Sequence, residues 1–209
     1  MRKIGILGLV GLLAVALAGC GGGHHDPDIF VFQQLSDQPA DGDIGFTAPS
    51  AYSFSQANIS KNVFFGIDAG GTEFRAFLDF PLDGSTGGGV LPLTAAIVSA
   101  DVEVYVNDVR FATSVPTLVD LVPFPIPGLT NADFNSSPLL TRDPFAIFRS
   151  DIGRLVRIDV TSLMVEAQRL GLRDLQLRFL LDLVPGASGL VELDDGVAGR
   201  SPFLTVEYR

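Results

Sequence analysis

Three residue types bound the chemistry open to this chain: one cysteine, two histidines and 24 acids. The histidines are adjacent, His24 and His25, with Asp26 and Asp28 close behind in a segment that begins Cys20-Gly-Gly-Gly. Such a cluster could hold a divalent metal weakly. A glycine-rich segment fixes neither ligand geometry nor supporting hydrogen bonds, so a solvated linker is the better reading. Residues 29–209 contain no histidine, which removes Ser-His-Asp and Cys-His sites from that region. There is no Gly-x-Ser-x-Gly elbow, and Gly84 to Gly89 lacks the lysine of a phosphate-binding loop and reads as a hairpin loop. A single cysteine excludes an intramolecular disulfide and a cysteine-based zinc site. The acids suit a hard cation better than catalysis. Asp37, Asp41 and Asp43, in Asp-Gln-Pro-Ala-Asp-Gly-Asp, could offer calcium several oxygens from one turn, and Asp194 and Asp195 form a second cluster. Neither has EF-hand spacing, and both also read as turn-forming aspartates in water. A glycosidase needs two carboxylates roughly 5–10 Å apart across a cleft, and the sequence singles out no such pair. The expectation is a protein that is not an enzyme, with calcium the one ion its residues suit.

The cysteine has its own context. Arg2 and Lys3 are followed by an apolar run, Ile4 to Leu17, and then by Leu17-Ala18-Gly19-Cys20. Basic start, short apolar segment and small residues at the cut are the order of a secretory signal peptide over residues 1–19. The run is shorter than the ~20 residues a membrane-spanning helix needs. Its last four residues resemble the lipobox of bacterial lipoproteins. That resemblance implies a lipidated Cys20 as the new N-terminus, residues 20–28 as a flexible tether, and a partner that is the membrane itself. It also implies the cell envelope as the location. Gly21, in place of the Asp that marks inner-membrane retention in enteric lipoproteins, points to the outer membrane. Cleavage would leave 12 basic against 24 acidic residues, a charge of -12, with Lys61 the only lysine. So acidic a domain gains nothing from anionic lipid, and the pI near 4.4 argues against nucleic-acid partners.

The dominant period from Ile29 onward is two. Phe74, Ala76, Leu78 and Phe80 alternate with Glu73, Arg75 and Asp79; Val98, Ala100, Val102, Val104 and Val106 with Ser99, Asp101, Glu103, Tyr105 and Asn107; Leu175, Leu177, Phe179, Leu181 and Leu183 with Asp174, Gln176, Arg178, Leu180 and Asp182. Segments 156–160 and 204–208 do the same, and shorter strands are expected at 29–34, 51–56, 62–67, 145–149 and 189–193. Alternation of this kind predicts strands with one buried and one wet face. Thr161 to Leu170 breaks it: Leu163, Met164, Ala167 and Leu170 have helical spacing, with Thr161 placed to cap and Gly171 just past the end. One short helix among about ten strands predicts an all-β antiparallel sandwich formed by residues 29–209.

Residues 116–144 hold six of the 13 prolines, including Val122-Pro-Phe-Pro-Ile-Pro-Gly128, and read as a long extended insertion. Its apolar side chains either fold back over the sheet or present a contact patch; Phe124 is the candidate contact residue. Among aromatics, Tyr105 lies in the polar set of its strand and is the candidate exposed ring. Tyr208 falls in the inward set.

The order of these segments resembles the jelly-roll domain of the DNRLRE type, grouped with carbohydrate-binding module family 96. Arg75-Ala-Phe-Leu-Asp-Phe-Pro-Leu82, Ser99-Ala-Asp-Val-Glu-Val-Tyr105, Asp159-Val-Thr161, the strand Leu175 to Asp182 and Ser201-Pro-Phe-Leu-Thr-Val-Glu-Tyr208 follow that family's sequence of motifs. The resemblance implies a jelly roll and a polysaccharide partner. With no tryptophan in the chain, any stacking platform falls to tyrosine or phenylalanine. The expected function is a non-catalytic, lipid-anchored envelope binding module. The alternative is an assembly lipoprotein that docks an envelope protein through the Pro-rich segment.

Overall fold

A computed structural model describes residues 28–56, 61–126, 128–183, 187–196 and 199–209. Cys20, His24, His25 and the expected signal segment lie outside the described residues. In chain order the strands are β1 (Phe30–Leu35), β2 (Gly42–Thr47), β3 (Ala51–Gln56), β4 (Asn62–Ile67), β5 (Glu73–Pro81), β6 (Ile97–Arg110) and β7 (Ser114–Leu121). Then come the short helix α1 (Asn131–Phe134), β8 (Leu140–Thr141), β9 (Phe145–Phe148), β10 (Arg154–Asp159), helix α2 (Thr161–Arg169), β11 (Asp174–Leu181), β12 (Gly189–Asp194) and β13 (Phe203–Tyr208). Every pairing between them is antiparallel. Neighbours run β1-β13-β6-β12-β4-β5-β11-β7-β8, with β10 added to β6, β2 to β5, β3 to β2 and β9 to β7. The result is the expected antiparallel β-sandwich with a short helix.

The main core joins Phe65, Ala76, Leu78 and Phe80 to Val102, Val104, Leu177, Phe179, Leu204 and Val206, all fully buried. These are the inward sets of the alternating segments, so period two in the sequence becomes one buried face per strand. Two bulges reset the alternation in β6. Glu207 pairs with Ser99 but Tyr208 with Ile97, which skips Val98 and leaves it exposed. Glu192 pairs with Asp108 but Leu193 with Val106, which skips Asn107 and turns Val109 inward.

The expectation of one wet face fails on β5 and β11. Phe77, Asp79, Gln176 and Arg178 lie on their outer face, yet all are buried. The Pro-rich segment covers Phe77, Gln176 and Arg178, and the 36–41 turn lies against Asp79. Val122, Phe124, Leu129 and Phe134 pack with Ile44 and Phe77 into a second core, flanked by Phe46 and Tyr52. Arg178 fastens this cover. Its Nε and Nη2 donate to Asp120 Oδ2 at 3.1 and 2.6 Å, and Nη1 donates to the carbonyls of Asp133, Phe134 and Ser136 at 3.2, 3.1 and 2.9 Å. The guanidinium thus adds charged donors to carbonyls at and just after the end of α1. Arg75 adds a hydrogen bond to the Phe134 carbonyl and lies 4.0 Å from that ring's centroid. At the helix start, Thr130 donates its N–H and its hydroxyl to Asp133 Oδ2 at 2.7 and 2.8 Å.

The insertion also begins later than its prolines suggest, because Pro116 lies inside β7. Its carbonyl accepts the N–H of Asp182 at 2.9 Å, one residue beyond the end of β11. The missing donor points to the same side, toward Asp182, so proline forgoes only the last bond of this ladder, at the end of β11. In α2, Leu163, Met164 and Ala167 are buried as expected. The cap differs: Asp159 Oδ1 accepts the Thr161 N–H at 2.9 Å, while Thr161 Oγ1 accepts the N–H of Ala100 at 2.9 Å. Gly171, with φ of 67°, closes the helix in the left-handed conformation. No helix among the described residues is long and apolar enough to cross a membrane.

Candidate functional site: an open sheet face and buried carboxylates

The outer face of the β1-β13-β6-β10 layer is built from cross-strand rows. Leu35, Phe203, Glu103 and Arg157 form one row; Gln33, Thr205, Asp101 and Asp159 form the next. Val31, Glu207 and Ser99 extend the face at one end, and Tyr105 beside Leu155 at the other. All of these side chains are exposed or half-buried. The alternation that buries Val102, Val104 and Val206 places them outward. The face carries acids, amide and hydroxyl groups, two aromatic rings and the guanidinium of Arg157, which reaches Asp101 at 2.5 Å. Tyr105 is half-buried and Arg200 lies over its ring, 4.4 Å from the centroid. Its ring is therefore stacked against a cation and not free in solvent. The sequence expectation did not include Arg200 or Phe203, because contact with Tyr105 and Glu103 follows from strand order and not from spacing.

Phe124 has another role. Only 6% exposed, it meets Phe77 edge-on with centroids 5.4 Å apart, and its backbone N–H and carbonyl are both held by the Gln176 side chain at 3.0 Å. An apolar ring beside an apolar sheet face is more stable buried, so the expected contact residue is core. The exposed apolar residues of the segment are Ile126, Leu139 and Leu140.

Asp37, Asp41 and Asp43 do not converge on one ion. Asp43 Oδ2 accepts the Phe64 N–H at 3.3 Å, and burial pushes this carboxyl up to about 7. Asp41 turns toward Asp195, with Ser36 beside them: the Ser36 hydroxyl lies 3.5 Å from Asp195 Oδ1. Asp41 Oδ1 accepts the Asp79 N–H at 2.6 Å, while its Oδ2 has no geometrically good partner among the described residues. Burial, and then the facing Asp195, raise the Asp41 carboxyl well above the carboxylate range; burial also pushes Asp195 up to about 6. Two adjacent carboxyls sealed from water favour sharing a proton. Asp41 and Asp195 are 1% and 2% exposed, so they flank no substrate cleft. The two clusters that looked separate in sequence meet because Asp195, just past β12, is held by the Lys61 carbonyl at 2.8 Å and β4 lies beside β2. Asp37 lies beside Asp79 instead, its backbone N–H donating to the Asp79 carbonyl at 2.8 Å. Among the described residues no group of three or more His, Cys, Asp or Glu side chains stands at metal-coordinating distances.

A cavity of about 220 Å³ lies between the 82–93 segment and α2, lined by Leu82, Val90, Leu91, Leu93, Met164 and Leu172. The Arg173–Asp83 ion pair, at 2.8 Å, stands at the same place. An apolar lining of this size suits a small apolar group rather than a sugar. No protein-family model matches the chain, and no curated protein matches it either.

Proposed function

We propose that this protein is a lipid-anchored, non-catalytic module of the cell envelope that binds polysaccharide on the outer face of the β1-β13-β6-β10 layer. The observation that carries the reading is the asymmetry of the two sheet faces. The outer face of β5 and β11 is buried under the Pro-rich segment, whereas the rows through Phe203, Glu103, Arg157 and Tyr105 are exposed or half-buried. Carboxylates and amides are good partners for sugar hydroxyls, and an aromatic ring for the apolar face of a pyranose. The lipobox-like end of the N-terminal segment supports the anchor, and a domain without histidine supports the absence of hydrolytic catalysis. The motif order resembling the DNRLRE-type family supports the sugar ligand.

Glycan-array binding tests it. Phe203→Ala is expected to weaken the wild-type signal at least about tenfold, the loss of one stacking contact worth ~1.4 kcal/mol, and Tyr105→Ala to weaken it less, because Arg200 already lies over that ring. Absence of any glycan signal from the folded wild-type protein would sink the reading. The alternative, docking of an envelope protein, is favoured by the exposure of Ile126 and Leu139. Ile126→Ser with Leu139→Ser would then abolish co-purification of that partner while leaving the second core, and hence the melting temperature, intact.

A further inference from the structure

β1 is an edge of the β1-β13-β6-β10 layer: among the described residues it pairs with β13 alone. The Ser36 N–H donates to the Pro202 carbonyl at 2.9 Å, and one unbroken register runs from Phe30 opposite Tyr208 to Leu35 opposite Phe203. Bonding residues alternate along an antiparallel pair, so Phe30, Phe32, Gln34 and Ser36 turn their backbone groups to β13. Val31, Gln33 and Leu35 turn theirs to the open edge. There the Leu35 carbonyl accepts the Gln34 side-chain amide at 2.9 Å, and no other strand of the described residues lies alongside. Edges are ordinarily guarded by charge, proline or a bulge. At the opposite edge of the layer β10 carries Arg154, Arg157 and Asp159. Ile29 to Ser36 holds no charge and no proline, and Ile29, Phe30, Val31 and Leu35 are each slightly more than half exposed.

We propose that β1 pairs antiparallel with β1 of a second copy of this chain, about a two-fold axis at Gln33. Charge selects the second copy: at a net -10, two chains meeting on an acid-bearing face repel, and β1 lets them meet without a charged side chain between them. The strand is also self-complementary. With Gln33 across Gln33, Val31 falls across Leu35 of the other copy, so amide meets amide and aliphatic meets aliphatic. Asp37 falls across Ile29 and Asp28 across Gln38, so no acid faces an acid. The backbone groups that meet are those of Val31, Gln33 and Leu35, the ones turned to the open edge. The two layers then form one sheet in the order β10-β6-β13-β1-β1-β13-β6-β10, with their outer faces side by side. A polymer spanning both faces would be held at two points. The pairing does not depend on what those faces bind, so it stands apart from the proposed function. One short strand buries less than a standard interface, so the dimer is weak and reversible.

Sedimentation equilibrium tests it, on the full chain with Cys20→Ser, which lacks the proposed acylation site and so is measured without detergent. The mean mass is expected to rise from one chain toward two between about 1 and 100 µM, the range of a small interface. Gln33→Glu and Gln33→Lys, added singly to this chain, each change one exposed side chain and set like charges across the two-fold axis. Each should weaken self-association at least about tenfold. An equimolar mixture of the two sets opposite charges there and should restore a dimer at least as tight as that of Gln33, which separates lost pairing from lost folding. A single-chain mass at every concentration, growth beyond two chains, association unchanged in both single variants, or a mixture that stays monomeric would each overturn the proposal, since pairing about a two-fold axis closes at the dimer.

Discussion

Asp43 shows how a single side chain links burial to pH. The hydrogen bond it accepts from the Phe64 N–H at 3.3 Å does not offset its burial, and the carboxyl is pushed from 3.8 up to about 7. Folding therefore favours the protonated form. The group imposes no cost below the unfolded value of 3.8, and destabilises progressively as pH rises from there to about 7. Asp43→Asn keeps an oxygen for the Phe64 N–H and cannot ionise. It should melt several degrees above wild type at pH 8, with the difference shrinking on acidification and gone below pH 3.8. A constant difference across that range in thermal melts would mean that packing, not charge, separates the two. Asp37, Asp41 and Asp43 were readable in sequence as cation-friendly residues, but their directions were not. Asp41 finds Asp195 and Asp37 finds Asp79 across long sequence separations, and no local spacing encodes those meetings.

At the scale of elements, Arg178 couples β11 to the Pro-rich cover. It and Asp120 are each 3% exposed, and its remaining donors hold the carbonyls after α1. Removing one partner of such a pair leaves the other charge buried alone, at a cost of about 3–5 kcal/mol. Arg178→Met should lower the stability by that order, measured by urea unfolding, and loosen the cover so that an apolar dye binds Phe124 and Phe134. Arg178→Met with Asp120→Leu should recover much of the loss, since no charge is then stranded. If the double variant is as unstable as the single one, the carbonyl contacts and not the ion pair hold the segment. The inward halves of β5, β6, β11 and β13 were legible because alternation is a local signal. The strand β2 was not, since Gly42-Asp-Ile-Gly-Phe46 reads as a turn and becomes a strand only by pairing with β3 and β5. The burial of Gln176 and Arg178 was hidden for the same reason: the alternation of β11 shows two faces, and only the tertiary path of 122–136 reveals that both are covered.

For the molecule as a whole, the proposed anchor and the folded domain are separable, and the charge makes that separation measurable. The chain that would follow Cys20 carries 12 basic and 24 acidic residues, so an anionic lipid surface repels it. On the proposed reading, membrane attachment comes wholly from acyl chains on Cys20. At ~0.8 kcal/mol for each buried methylene, two or three chains hold the domain firmly, and their loss leaves no residual affinity. Cys20→Ser, produced in a bacterial host, should therefore move from the membrane pellet to the soluble envelope fraction, and mass spectrometry of its N-terminal peptide should show no acyl group. Its melting temperature and its glycan binding should match those of the acylated protein, because the sandwich core and the β1-β13-β6-β10 face begin only at β1. Continued sedimentation of Cys20→Ser with membranes in detergent-free buffer would mean that the domain itself holds the envelope, and would shift attention to its exposed apolar residues Phe30, Val31 and Leu35.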